Sequence, residues 1–279
     1  MNSPRSSDES IRRILVALDA SVSSLATLEA AVALASHLEA ELIGLFVEDV
    51  NLLNLAALPF AREVGFPSAR RRRLGSLEME RSLRAQASRA QAALIAAAER
   101  QSVRCSFRVV RGEVTAQVLE AATEVDLLAL GMGRPRAWRA SSTSRVIASS
   151  ASRPVLLLTP GTPVGPPIAS VYDGSAESAR ALLLARRLAQ TESATLTVLV
   201  VARDADDAQR LRQQAAGHLA GSGLAVDYVT LMDADAADVA QAARRRATGT
   251  LVLAANLLLK SGTLEQLLTE LDCAVILTR

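Results

Sequence analysis

RRILVALDAS, Arg12 to Ser21, and IASVYDGS, Ile168 to Ser175, are two short apolar runs that each lead into an Asp and then a Ser. They decide the fold because the same order of segments follows each of them. A long alanine and leucine helix comes next, SSLATLEAAVALASHLEA after the first and AESARALLLARRLAQTES after the second, with apolar residues at helical spacing. Second strands follow, ELIGLFVED and ATLTVLVVARD, then second helices, RAQASRAQAALIAAAERQS and DAQRLRQQAAGHLAGSG. VRCSFRVVRG and AVDYVTLMD read as third strands, VTAQVLEAATEV and AADVAQAARRRA as third helices. DLLALG and TLVLAAN are fourth strands, RPVLLLT and CAVILTR fifth strands. An internal repeat of this kind, strands alternating with amphipathic helices, implies right-handed crossovers and a parallel sheet covered on both faces.

The expected architecture is therefore α/β: two tandem, doubly wound domains, each with a five-stranded parallel sheet. Domain 1 spans 11–159, a linker 160–167, and domain 2 168–279. The linker region TPGTPVGPP holds four prolines and two glycines in nine residues, so it continues neither a helix nor a central strand. So short and stiff a connection favours two packed domains, and the fifth strands are the expected contact, because an apolar sheet edge must pair or be covered.

Composition narrows the function classes. Of 279 residues 50% are hydrophobic and only 3% aromatic, which predicts a core of Ala, Leu and Val rather than of rings. A formal net charge of +2 is too weak a field to indicate a nucleic-acid partner. Cys105 and Cys273 are far apart and each sits in an apparent strand, which fits neither a disulfide framework nor a metal site. The N-terminus has no apolar signal region and no later apolar run would span a bilayer, so a cytoplasmic protein without membrane contact is expected.

Catalytic patterns are missing. His37 and His218 stand alone on predicted helices, without Cys, Asp or Glu at ligand spacing. There is no G-x-S-x-G elbow, H-E-x-x-H, Walker A or C-x-x-C. GMGRPR follows a fourth strand, and Arg136 replaces the third glycine of a dinucleotide fingerprint. The expectation is a protein that is not an enzyme.

One segment breaks the repeat. Residues 50–84 are inserted between the second strand and second helix of domain 1, and from Asn51 they read NLLNLAALPFAREVGFPSARRRRLGSLEMERSLR. Its apolar part, Leu52 to Phe60, is expected to cover something, and Arg70 to Arg73 to form a solvated loop or helix start.

ILVALDAS, VYDGS, DLLALGMGR and SRVIASSASRPVLLL, in this order and spacing, resemble a tandem universal stress protein over nearly the whole chain, Arg12 to Arg279. The resemblance implies an adenine-nucleotide α-hydrolase-like, Rossmann-like fold, packed as an internal pseudo-dimer, and a stress-response role. That family has ATP-binding and non-binding branches. In ATP-binding members the Asp after the first strand lies by the nucleoside, backbone at the end of the second strand meets the adenine, and a G-x2-G-x9-G-S/T loop holds the phosphates. Carried over, the nucleotide-binding residues are Ala17, Asp19, Val47, Gly131, Gly133, Arg134, Ser141, Ser142 and Thr143, with ATP or ADP and Mg as ligand.

The loop departs from the family's spacing. Gly133 falls one residue early for the second glycine, Ser141 stands for the third, and Ser142 takes the hydroxyl position. Arg134, Arg136 and Arg139 can supply charge to a phosphate; the alternative is a solvated basic loop. In domain 2, Ala255 stands for the first glycine and only Ser261, Gly262 and Thr263 remain before the last helix, so this half is expected not to bind nucleotide. Asp173 is then expected to cap its helix, and Asp19, with Ser21 beside it, has that reading or the nucleoside role. Two other readings stay open: a ligand-free interaction module that meets a protein partner through residues 51–84, and a slow nucleotide hydrolase. Self-association as a homodimer is the alternative to the internal pseudo-dimer.

Overall fold

The computed structural model describes residues 11–19, 22–58, 62–65, 70–73, 75–131, 142–158, 162, 164–259, 267 and 270–279. The first half runs β1 (Arg13–Ala17), α1 (Val22–His37), β2 (Glu41–Asp49), α2 (Val50–Ala57), β3 (Arg62–Gly65), β4 (Arg70–Arg73), α3 (Ser76–Arg100), β5 (Cys105–Gly112), α4 (Val114–Ala122), β6 (Leu127–Gly131), α5 (Ser142–Ser150) and β7 (Val155–Leu158). The second runs β8 (Ile168–Tyr172), α6 (Ala176–Thr191), β9 (Leu196–Ala202), α7 (Ala205–Leu219), β10 (Val226–Met232), α8 (Ala236–Arg245), β11 (Thr250–Ala254), α9 (Ala255–Leu259) and β12 (Ala274–Thr278).

These strands form one ten-stranded sheet in the order β10-β9-β8-β11-β12-β7-β6-β1-β2-β5. Each half repeats one winding, its first strand lying between its second and fourth. All neighbours are parallel except β7 and β12, which pair antiparallel with Leu156 opposite Ile276. The expected contact between fifth strands is thus the join of the molecule, and it relates the halves by an approximate two-fold.

Alternation along each strand divides the core. Ile14, Val16 and Leu18 face a layer that includes residues of α1 and α3, and the same layer continues into the second half through Leu182 and Leu211. Leu15 and Leu128 face the opposite layer with Val118 and Ile147. β7, β8, β11 and β12 are buried at every position, as strands covered on both faces must be. Alanines at buried positions of α3, α6 and α8 let these helices lie close to the sheet.

The linker is held down. Gly165 N–H donates to Thr250 Oγ1, whose hydroxyl returns a bond to the Gly165 carbonyl, both at 2.9 Å. Gly249 is required here, since a Cβ would stand 2.5 Å from the Gly165 carbonyl oxygen. The arginine run corrects an expectation. Arg70–Arg73 is strand β4, paired antiparallel with β3 so that Val64 faces Arg71. Backbone pairing with β3 decides its form, and a run of like charges gave no sign of it.

Candidate functional site

At the carboxyl ends of β1, β2 and β6 the first half holds a cavity of about 480 Å³. It sits where doubly wound sheets open a crevice, because β1 is flanked by β2 on one side and β6 on the other and the connections leave on opposite faces. One wall is apolar, built by Ala17, Val47, Val118, Leu130 and Ile147. Polar groups stand around it: Asp19 and Ser24 after β1, Asp49 at the end of β2, and Thr143 and Ser144 in the first turn of α5.

Among the residues expected at a nucleotide site, Ala17, Asp19, Val47, Gly131 and Thr143 are brought together around this cavity. Ser142 is the first residue of α5. Gly133, Arg134 and Ser141 lie outside the described residues, as do Arg136 and Arg139. Gly131 ends β6 and Thr143 opens α5, so the expected loop spans the interval between a strand end and a helix N-terminus. The first N–H groups of a helix have no partner within it, and the local dipole favours an anion there.

Sequence reading missed several lining residues. Leu52 comes from α2, and Leu83 and Gln86 come from α3. The inserted segment therefore does cover something: its first helix forms part of the cavity wall. Asp49 is both the last residue of β2 and the N-cap of α2, its Oδ1 accepting from Asn51 N–H at 2.8 Å. Nearby, buried Glu48 accepts from Arg111 Nε at 2.9 Å and from another guanidinium nitrogen at 2.7 Å, which ties the end of β2 to β5. One signal was present in the sequence: D-x4-S occurs as Asp19…Ser24 and Asp173…Ser178.

This signal has one structural meaning in both halves. Asp19 N–H donates to Ser24 Oγ at 3.1 Å, and Asp173 N–H to Ser178 Oγ at 3.4 Å, each from the end of a strand to a buried serine of the next helix. Beyond that the halves part. Asp173 Oδ1 accepts from Ser175 N–H at 2.9 Å and from Ser175 Oγ–H at 2.6 Å. Ser175 Oγ in turn accepts from Ser178 N–H at 3.1 Å and caps α6. The expectation that Asp173 caps the helix is thus corrected: Ser175 is the cap and Asp173 anchors it. Gly174, with φ of +85°, turns the chain so that Ser175 reaches the N-cap position. Burial raises the Asp173 carboxyl, but hydrogen bonds from Ser175 and Ser178 outweigh it and hold the group below the ordinary aspartate value.

Over this second turn lies Leu211 of α7. A Cβ at Gly174 would meet its Cδ2 at 2.5 Å and the Gln214 Oε1 at 3.6 Å. Tyr172, in the place of Leu18, is fully buried with its ring edge-on to His218 at 6.1 Å. After β11, Ala255 starts α9 at once where a phosphate loop would begin, and Ser261, Gly262 and Thr263 lie outside the described residues. His37, the other histidine, pairs through Nδ1 with Glu192 and so joins the end of α1 to the residue after α6. Among the described residues no helix is long and apolar enough to cross a membrane.

The fold compares closely with solved structures. A universal stress protein from Archaeoglobus fulgidus DSM 4304 is similar with a TM-score of 0.76 and 14% identity, covering 95% of this chain and 97% of that one. A putative universal stress protein from Pseudomonas aeruginosa UCBPP-PA14 is similar with a TM-score of 0.60 and 17% identity, covering 96% and 93%. No curated protein matches the sequence. The universal stress protein family pattern matches residues 10–159, more than half of the chain. Together with the winding of both halves, that match establishes that the chain belongs to the universal stress protein family.

Proposed function

We propose that the first half binds an adenine nucleotide, ATP or ADP, and that the second half is its scaffold and binds none. The observation that carries this reading is the cavity at the ends of β1, β2 and β6, with an apolar wall on one side and the first turn of α5 on another. Its volume of about 480 Å³ suits a small-molecule site. The residues fit the two ends of a nucleotide: Val47 and Ala17 offer an apolar surface to a base, and Gly131 with the α5 N-terminus offers backbone to phosphate oxygens. Magnesium arrives with the nucleotide in this reading, because no carboxylate lies between Gly131 and Arg153. The protein acts by binding rather than by catalysis, as a non-enzymatic stress-response protein.

Calorimetric titration with ATP and ADP, with and without magnesium, tests it. One site per chain in the micromolar range, lost in Gly131→Val with the fold retained, is the expected result. Absence of heat, together with absence of nucleotide carried through purification, would sink the proposal. Release of phosphate from ATP by the purified protein would instead favour the hydrolase reading.

A second reading is favoured by α2 itself. Leu55 of α2 and Leu58, which follows it, are 49% and 40% exposed, apolar surface suited to a protein partner.

A further inference from the structure

From the contrast between the two open edges of the ten-stranded sheet we infer that β10 is a docking strand for a second copy of this chain, which joins it antiparallel about a two-fold through Val229. The inference stands apart from the nucleotide reading, since β10 and the crevice lie toward opposite ends of the sheet.

Among the described residues β9 is the only strand beside β10, in parallel register from Val226 opposite Leu196 to Met232 opposite Ala202. Leu196 N–H donates to the Ala225 carbonyl at 3.0 Å and Asp233 N–H to the Ala202 carbonyl at 2.9 Å, which fixes the phase of the ladder. In a parallel pair alternate residues turn both backbone groups to one neighbour. Asp227, Val229 and Leu231 therefore spend theirs on β9, and Val226, Tyr228, Thr230 and Met232 present theirs at the open edge. Side chains alternate as well. Tyr228, Thr230 and Met232 border a cavity of about 590 Å³ against α7, and Val229 and Leu231 border one of about 370 Å³ against α8. An unpaired backbone row with a hollow on each side is what an added strand fills, its side chains entering the two hollows in turn.

The strand is its own complement. With the two-fold at Val229, Tyr228 lies opposite Thr230 of the second copy and Val226 opposite Met232, so outward residues meet outward residues along the whole strand and their N–H and C=O groups are all used. An aromatic ring opposite a β-branched side chain is a favourable pair. Val229 meets its own copy, and Asp227, held by Arg246, meets Leu231, so no like charges stand opposite one another. Nor does β10 carry an Arg or Lys between Val226 and Met232, the charges that ordinarily blunt an edge. The other edge, β5, fails the same test. Leu42 N–H donates to the Arg104 carbonyl, which turns Cys105, Phe107, Val109 and Arg111 outward. The two-fold that would pair these residues falls on Arg108, so a guanidinium would face its own copy. Arg108 and Arg111 are besides committed to Glu124 and Glu48. One self-complementary edge and one self-repelling edge make a closed dimer rather than an open-ended row.

Sedimentation velocity of the full chain in reducing buffer, over a concentration series, is expected to show a reversible equilibrium of monomer and dimer with no larger species. Val229→Lys and Val229→Glu each set like charges on the two-fold and are expected to weaken the dimer at least about tenfold, whereas a one-to-one mixture of the two returns it to within about threefold of the natural protein. Thr230→Pro removes an outward N–H and no bond to β9, so it weakens the dimer as strongly while the circular dichroism of the fold is kept. Val109→Lys, on β5, leaves the dimer as it is. Hydrogen exchange followed by NMR needs no variant: the amides of Tyr228 and Thr230 slow as concentration rises, and those of Val229 and Leu231, bonded to β9, do not. A monomer at every concentration overturns the proposal and leaves β10 to a strand of some other protein. Species that grow beyond a dimer, a dimer indifferent to the Val229 and Thr230 substitutions, a mixture no tighter than either Val229 variant alone, or unchanged exchange at Tyr228 and Thr230 each overturns it as well.

Discussion

Asp19 and Asp173 occupy the same place in the two halves, each just past the end of a first strand and each donating its backbone N–H to a serine five residues on. Asp19 borders a cavity, whereas Asp173 spends its carboxylate on Ser175 and sits under Leu211. A motif kept in both halves thus has two outcomes, and what separates them lies outside the motif: glycine against alanine at the next position, an inserted helix, and a strand that runs to a glycine or directly into a helix. The local sequence of a turn sets its backbone; the elements packed over it decide whether there is a site.

The comparison can be attacked where the difference is greatest. Gly174→Ala forces a side chain into a left-handed backbone and against Leu211, so it is expected to destabilise the protein by about 2 kcal/mol, read from urea unfolding, with ATP affinity untouched. Stability at or above the natural value would show that the second turn is not held closed as described. Next come the aspartates themselves. Asp173→Ala should cost about 1–2 kcal/mol of stability through the lost charge-assisted hydrogen bonds and leave nucleotide binding as it was. Asp19→Ala, by contrast, should weaken ATP at least tenfold, since Asp19 borders the cavity. If both variants behave alike in both assays, the functional division between the halves is wrong.

The smallest effect is a pH dependence. The Asp173 carboxyl is held below its unfolded value of about 3.9. Its ionised form therefore stabilises the fold above that value, and the contribution is lost as pH falls through the lower native one. The stability gap between the natural protein and Asp173→Asn should accordingly be full at pH 6 and shrink below about pH 4. A gap that stays constant from pH 6 to pH 3 would mean that the carboxylate charge contributes nothing there.

How much of this was legible in the sequence varies with the kind of force. The winding was legible, because β7, β8, β11 and β12 are buried on both faces and so are written as continuous apolar runs, and the long alanine-rich helices carry their period openly. The join of β7 to β12 followed from the need to cover two apolar edges. Residues at strand ends, Ala17, Asp19, Val47 and Gly131, were found because strand ends are where such a sheet opens. Leu52, Leu83 and Gln86 were not, since nothing in a helix pattern tells which of its apolar residues face a cavity and which face a core. The strand at Arg70–Arg73 escaped for a different reason: its pairing with Arg62–Gly65 is made by backbone, and its side chains carry no alternation to betray it. Asp173 was misread as a cap because the step from anchor to cap depends on a single backbone angle at Gly174.

The antiparallel join of β7 to β12 has one more consequence. Two separate copies of one chain meeting edge to edge are identical, so any residue altered in one is altered in the other, and a lost binding site is lost twice. Here a tether tied to Thr250 keeps the second edge at an effective concentration that free subunits reach only at millimolar levels. Association no longer depends on the abundance of the protein, and symmetry is no longer enforced by chemistry. One edge-paired partner is free to fill its crevice with leucine and tyrosine while the other keeps its own open, a division of labour that only a covalent pair can inherit as a unit.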